Sequence, residues 1–251
     1  MSVLVEACVD SVASAIAAER GGAGRLELCD NLFDGGTTPS AGMIAAVKDR
    51  VRLPVFVIVR PRGGGFVYSD DELEVMRRDV EIAARFGADG VVVGVLTSEA
   101  SVDVARTRDL VSAARPLPVT FHRAFDLTRD RLEALEAVIA SGGSRVLTSG
   151  GAPTALEGAA AIASLVARAA ERLEVMAGGG VREANVADLV QRSGVREVHV
   201  RGTVLERTAM PSVNRAIRFR RALPDDEGAW EATDEARVRA IVRRANVRST
   251  P

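Results

Sequence analysis

Short runs of Val, Ile, Leu and Ala recur along the chain, separated by longer stretches in which apolar residues return every three or four positions. The short runs read as buried strands and the longer stretches as helices with one buried face. Strands are predicted at 3–9, 25–29, 54–60, 90–96, 118–125, 145–150, 173–178 and 196–200. Helices are predicted to start near Asp10, Pro39, Ser69, Val102, Thr128, Pro153 and Arg182. Eight strands alternating with helices imply parallel pairing and closure, so the predicted fold is α/β, a single (β/α)8 TIM barrel.

Local signals support these boundaries. Ser69-Asp70-Asp71-Glu72 reads as a capping box, with Ser69 as N-cap and Glu72 reaching back. Pro39 and Pro153 are placed in the first turns of their helices. Gly21-Gly22, Gly87 and Gly142-Gly143 fall where helices should end. Cys8-Val9-Asp10-Ser11 follows the first strand, where an open doubly wound sheet would carry a Gly-rich fingerprint, so no nucleotide cofactor is expected. Beyond Val200 the pattern loosens. An irregular segment or short helix is expected over 209–221, a polar loop over 224–233 and a closing helix over 234–246. One domain is expected over 1–251, with the repeating units in 3–200 and the extension in 201–251.

Composition narrows the function classes. A chain of 251 residues has the usual size of one such barrel. Its 33 basic and 34 acidic side chains nearly cancel, so neither nucleic acid nor an anionic membrane is an expected partner. Two cysteines are too few for a disulfide framework, and no basic leader with a long apolar stretch opens the chain. A cytoplasmic protein with reduced thiols is expected.

Alternate strand residues point into a barrel, and those near the C-terminal strand ends line its mouth. This parity places Glu6 and Cys8 inward on the first strand, and Glu27 and Cys29 inward on the second. Arg60 ends the third strand, with Arg62 close behind. His122 is inward on the fifth strand, followed by Arg123 and Asp126, and His199 is inward on the eighth. A lone buried Cys or His is usually a packed core residue. Carboxylates are rarely buried without partners, and Arg60 and Arg62 are the candidate partners in a structural ion network. Two carboxylates, two thiols, two imidazoles and two guanidiniums at one mouth are better explained as a site. Gly178, Gly179 and Gly180 after the seventh strand, with Ser149 and Gly150 after the sixth, add backbone donors where barrels often hold phosphate. Tight turning alone would also explain those glycines.

Several stretches together resemble the CutC family, named for a proposed role in copper homeostasis. They include Glu6-Ala7-Cys8, Arg25-Leu26-Glu27-Leu28-Cys29, Gly35-Gly36-Thr37-Thr38-Pro39-Ser40 and Arg60-Pro61-Arg62-Gly63-Gly64. Others are Pro118-Val119-Thr120-Phe121-His122-Arg123-Ala124-Phe125-Asp126, Val146-Leu147-Thr148-Ser149-Gly150 and Met176-Ala177-Gly178-Gly179-Gly180-Val181. The resemblance implies a TIM barrel, a cytoplasmic location, a homo-oligomer and an association with copper. The chain departs from the family pattern at Gly65, at Val67 and Leu127 where some members carry cysteine, and at Val200-Arg201 after His199.

Two main functions follow. In the first, Cys8 and Cys29 bind Cu(I), since soft thiolates select that ion and both lie on neighbouring strands. His122 starts across the barrel, which argues against a four-ligand site. In the second, the chain is an enzyme acting on a small anionic or phosphorylated substrate. Glu6 or Glu27 is then the acid or base, with His122 as the second proton carrier. Arg60, Arg62 and Arg123 clamp acidic groups, Asp126 orients His122 or Arg123, and Ser149, Gly150, Gly178, Gly179 and His199 line the substrate. A scaffold without chemistry is the third option, disfavoured by the number of buried ionisable groups.

Overall fold

The computed structural model describes residues 2–209 and 228–247. Eight parallel strands close into a barrel in chain order, β1 pairing with both β2 and β8. The first half comprises β1 (Leu4–Val9), α1 (Val12–Arg20), β2 (Arg25–Leu28), α2 (Ala41–Lys48), β3 (Val55–Ile58), α3 (Asp70–Arg85), β4 (Gly90–Val93) and α4 (Val104–Ala114). The second comprises β5 (Val119–Phe121), α5 (Arg131–Ala140), β6 (Arg145–Thr148), α6 (Ala159–Ala169), β7 (Glu174–Gly178), α7 (Glu183–Ser193) and β8 (Glu197–Val200). The predicted (β/α)8 barrel is therefore the fold.

Outward strand residues meet the helices in a continuous apolar layer. Val57, Val91 and Val93 pack with Val47, Met76 and Leu110 on one side. Val146, Val175 and Val198 pack with Leu135, Ile162 and Leu189 on the other. Burying each such side chain stabilises the fold by about 1.5–3 kcal/mol, which is why the outward strand positions are mostly Val and Leu. The apolar cluster inside the cylinder is small: Cys8, Cys29, Phe56, Ile58 and Val92, with Leu32 against them. Much of the remaining interior is polar.

Helix starts are set by side-chain caps. Ser11, Ser40, Asp103, Asp130 and Ser69 each accept a backbone N–H from the first turn of their helix, and Ser69 with Glu72 forms the full capping box. Pro39 and Pro153 lie outside their helices. Ser40 caps α2 one residue after Pro39, and α6 begins only at Ala159 because Gly158 first packs against the Ser149 and Gly150 backbone. The fifth strand is shorter than expected. It ends at Phe121, and His122 caps a 3-10 turn over Arg123–Leu127.

The extension corrects one expectation. Part of the supposed polar loop, Ala229–Thr233, is a strand (β10) paired antiparallel with β9 (Thr203–Arg207). The expected segment over 209–221 falls almost wholly outside the described residues. The closing helix α8 (Glu235–Ala245) is capped by Asp234 and packs between α1 and α7. Hairpin and helix bring Glu231 and Arg237 to the C-terminal end of the barrel, beside Arg201, which directly follows β8.

Candidate functional site

The lower interior is an ion network. Arg25 donates to Glu6 and to Glu197, and Arg145 donates to Glu197 at 2.6 and 3.1 Å and to Thr120 at 3.2 Å. Both guanidiniums lie over the Phe56 ring, at 5.0 and 5.3 Å from its centroid. Arg25, not Arg60 or Arg62, is thus the partner of Glu6. The sequence carried the signal, since Arg25, Glu27 and Cys29 share one parity.

Above this floor, Glu6 also accepts from His199 Nδ1 at 2.8 Å. β8 closes onto β1 with Glu6 and His199 as direct partners, which fixes that contact. Burial alone would raise the Glu6 carboxyl, but the His199 hydrogen bond and the Arg25 charge hold it at about 2. The His199 imidazole is pulled in the opposite sense. Burial works against its charge, yet Glu27, Cys8 and Glu6 hold it well above the ordinary range.

The two cysteines meet beside it. Cys8 Sγ and Cys29 Sγ are 3.7 Å apart, and Cys29 Sγ lies 3.4 Å from Glu27 Oε2. Donation from the Cys29 thiol and the nearby His199 charge hold Cys8 below the usual thiol range, while the first ionisation pushes Cys29 up. Burial pushes Glu27 up to about 8 against the pull of His199. Cys8 Sγ, a Glu27 oxygen and a His199 ring nitrogen lie within 4.8 Å of one another. His199, expected among substrate contacts, thus joins the thiols.

His122 stands apart on another wall. A Cβ at Gly94 would collide with its ring, so glycine makes room for the imidazole. The ring rests 4.9 Å from that of Phe66. Its Nδ1 accepts the Ala124 N–H at 3.1 Å and Nε2 has no partner. Burial, with Arg60 nearby, drops this imidazole to about 3, so it is neutral. Arg60 spends most of its guanidinium on backbone carbonyls, with Nη1 reaching Asp34 and Gly36 at 2.6 and 2.7 Å and Nη2 reaching Gly64 at 3.0 Å. It therefore ties the β2–α2 and β3–α3 loops together.

These walls enclose a cavity of about 870 Å³, lined among others by Cys8, Glu27, Arg60, His122, Gly179 and His199. Arg123 also lines it, pairing with Asp126 at 2.8 Å and with Ser149 at 2.9 Å. Other expected site residues do not reach the cavity. Arg62 is on the surface with Glu72. Asp126 accepts from Ser149 and Gly151 backbone N–H groups and orients Arg123, not His122. Ser149 answers Asp126, Gly150 packs on Gly158, and Gly178 lies beneath His199. Arg182 and Arg237, which the sequence reading missed, do line it. Both belong to segments whose orientation only the closed fold defines.

Comparison with known proteins agrees with this architecture. The model of the CutC family matches residues 3–204. The copper homeostasis protein cutC homolog of Mus musculus is 46% identical over 238 residues, spanning 95% of this chain and 88% of its own length. A family protein CutC of Chromobacterium violaceum is 49% identical over 247 residues, spanning 96% and 97%. The solved structure of CutC from Streptococcus agalactiae superposes with a TM-score of 0.75 at 35% identity, covering 79% of this chain and 98% of its own. By sequence over most of its length and by fold, this chain belongs to the CutC family.

Proposed function

We propose that this protein serves copper homeostasis in the cytoplasm by binding Cu(I) through Cys8 and Cys29, with His199 Nε2 as third donor once the metal displaces its proton. The thiol pair carries the reading. Two metal–sulfur bonds of about 2.3 Å each can bridge sulfurs up to about 4.6 Å apart, and these stand at 3.7 Å. Soft sulfur donors with one imidazole favour Cu(I) over hard cations. Glu27, largely protonated at neutral pH, leaves the soft donors dominant. The sulfurs are buried but Cys8 and His199 line an open cavity, so an ion has an entry path. The names of the relatives from mouse and Streptococcus agalactiae support the same direction.

The test is competition of reduced protein against a Cu(I) chelator. Cys8→Ser and Cys29→Ser are each expected to weaken binding on the order of a hundredfold, about 2.7 kcal/mol. Unchanged affinity in both variants overturns the reading. A second reading, proton transfer by Glu27 on a bound small molecule, draws on the position of a carboxyl titrating at about 8 in the wall of a cavity much larger than one ion.

A further inference from the structure

Three side chains of the cavity wall carry a buried N–H that meets no acceptor: Arg60 Nε, His122 Nε2 and Arg201 Nε. The His122 tautomer follows from its other nitrogen. Because Nδ1 accepts from Ala124, the proton sits on Nε2, which is a donor. Arg60 is 4% exposed and His122 is 5% exposed. Native proteins rarely leave such groups unpaired, and here every orphan in the wall is a donor. An acceptor-rich occupant would pair them.

The rim shows where its charge would sit. Gly179 and Gly180 have φ of +110° and +67°, a backbone form that L side chains rarely adopt. The Gly180 and Val181 N–H groups meet no backbone acceptor among the described residues. α7 starts just beyond: its N-cap Arg182 N–H is taken by Asn185 Oδ1, while the Glu183 and Ala184 N–H groups meet no backbone acceptor among the described residues. The guanidiniums of Arg182 and Arg237 form no ion pair among the described residues. Five arginines line the cavity, Arg60, Arg123, Arg182, Arg201 and Arg237, against three glutamates.

We propose that the outer cavity binds a small phosphorylated molecule, its phosphoryl group held by the β7–α7 loop with Arg182 and Arg237, its organic part turned toward His122 and Arg60. Free loop amides, a helix start and two planar guanidiniums offer more donors than a carboxylate can accept, whereas a phosphoryl group presents three oxygens. This site is separate from the thiol pair and does not rest on the copper reading.

The experiment is calorimetric titration of the full chain, reduced and freed of metal by chelator, with inorganic phosphate, glycerol 3-phosphate and succinate. Both phosphate probes are expected to bind, glycerol 3-phosphate more tightly. Arg182→Gln and Arg237→Gln are each expected to weaken them on the order of tenfold. Arg192→Gln, on the same helix but outside the cavity, is expected to leave them unchanged. Both targeted arginines are exposed, so the variants should fold, and thermal melts verify it. No phosphate binding, binding indifferent to both cavity variants, or succinate preferred over phosphate would each overturn the proposal. Cu(I) affinity is measured on the same variants. It is expected to be unchanged, which keeps failure of this site distinct from failure of the thiol site.

Discussion

In the lower half of the barrel, Glu6, Arg25, Arg145 and Glu197 close on one another, each buried charge answered by its opposite. At the mouth, similar residue types are arranged differently. Arg60, His122 and Arg201 keep N–H groups without acceptors, and Cys8, Glu27 and His199 face a cavity. Residue type alone therefore does not separate structural from functional charge. Desolvated charges in the floor are fully answered by their neighbours, while in the mouth part of the donor capacity is left over for something that enters.

The largest expected effect lies in the floor. Arg25→Ala strips a partner from both Glu6 and Glu197, and should cost about 3–5 kcal/mol by urea denaturation. A cost below about 1 kcal/mol would mean that the network is not structural, and the contrast with the mouth would collapse.

A second prediction sharpens the contrast through pH. Glu27 is held at about 8, above its unfolded value, so the folded state keeps a proton that the unfolded state has released. Stability of the metal-free protein should therefore fall as pH rises from about 4.5 through 8, with a slope of up to about 1.4 kcal/mol per pH unit, and Glu27→Gln should flatten that slope. Glu6 works in the opposite window. Its carboxyl sits at about 2, so its contribution is present above 4.5 and lost as pH falls toward 2. Matching slopes for wild type and Glu27→Gln between pH 6 and 9 would remove the special standing of Glu27.

The smallest effect is expected at the rim. Arg201 pairs with Glu231 at 2.8 Å, both about two-fifths exposed. Arg201→Ser should change stability by less than about 1 kcal/mol in thermal or urea melts, as for other exposed pairs. A larger loss would show that the hairpin depends on this contact and belongs with the floor.

Much of this was legible before any coordinates. Inward parity at Glu6, Cys8, Glu27 and Cys29 followed from strand period alone, and the capping box at Ser69 from four residues. Other assignments failed for identifiable reasons. Arg62 and Asp126 lie just past strand ends, where the period of two no longer holds and local turns redirect the side chains. Ala229–Thr233 looked polar because one face of a surface hairpin is solvated.

The local order of the chain determined the number of barrel strands, their parallel sense and which residues face inward, because burial of each strand depends on its own alternation of side chains. Only the tertiary structure decided which inward groups meet. Closure of β8 onto β1 set His199 beside Glu6 and the thiols, left His122 on another wall, and carried Arg182 and Arg237 from distant segments to one rim. Register between strands and the placement of the extension are properties of the closed barrel, and no single segment contains them.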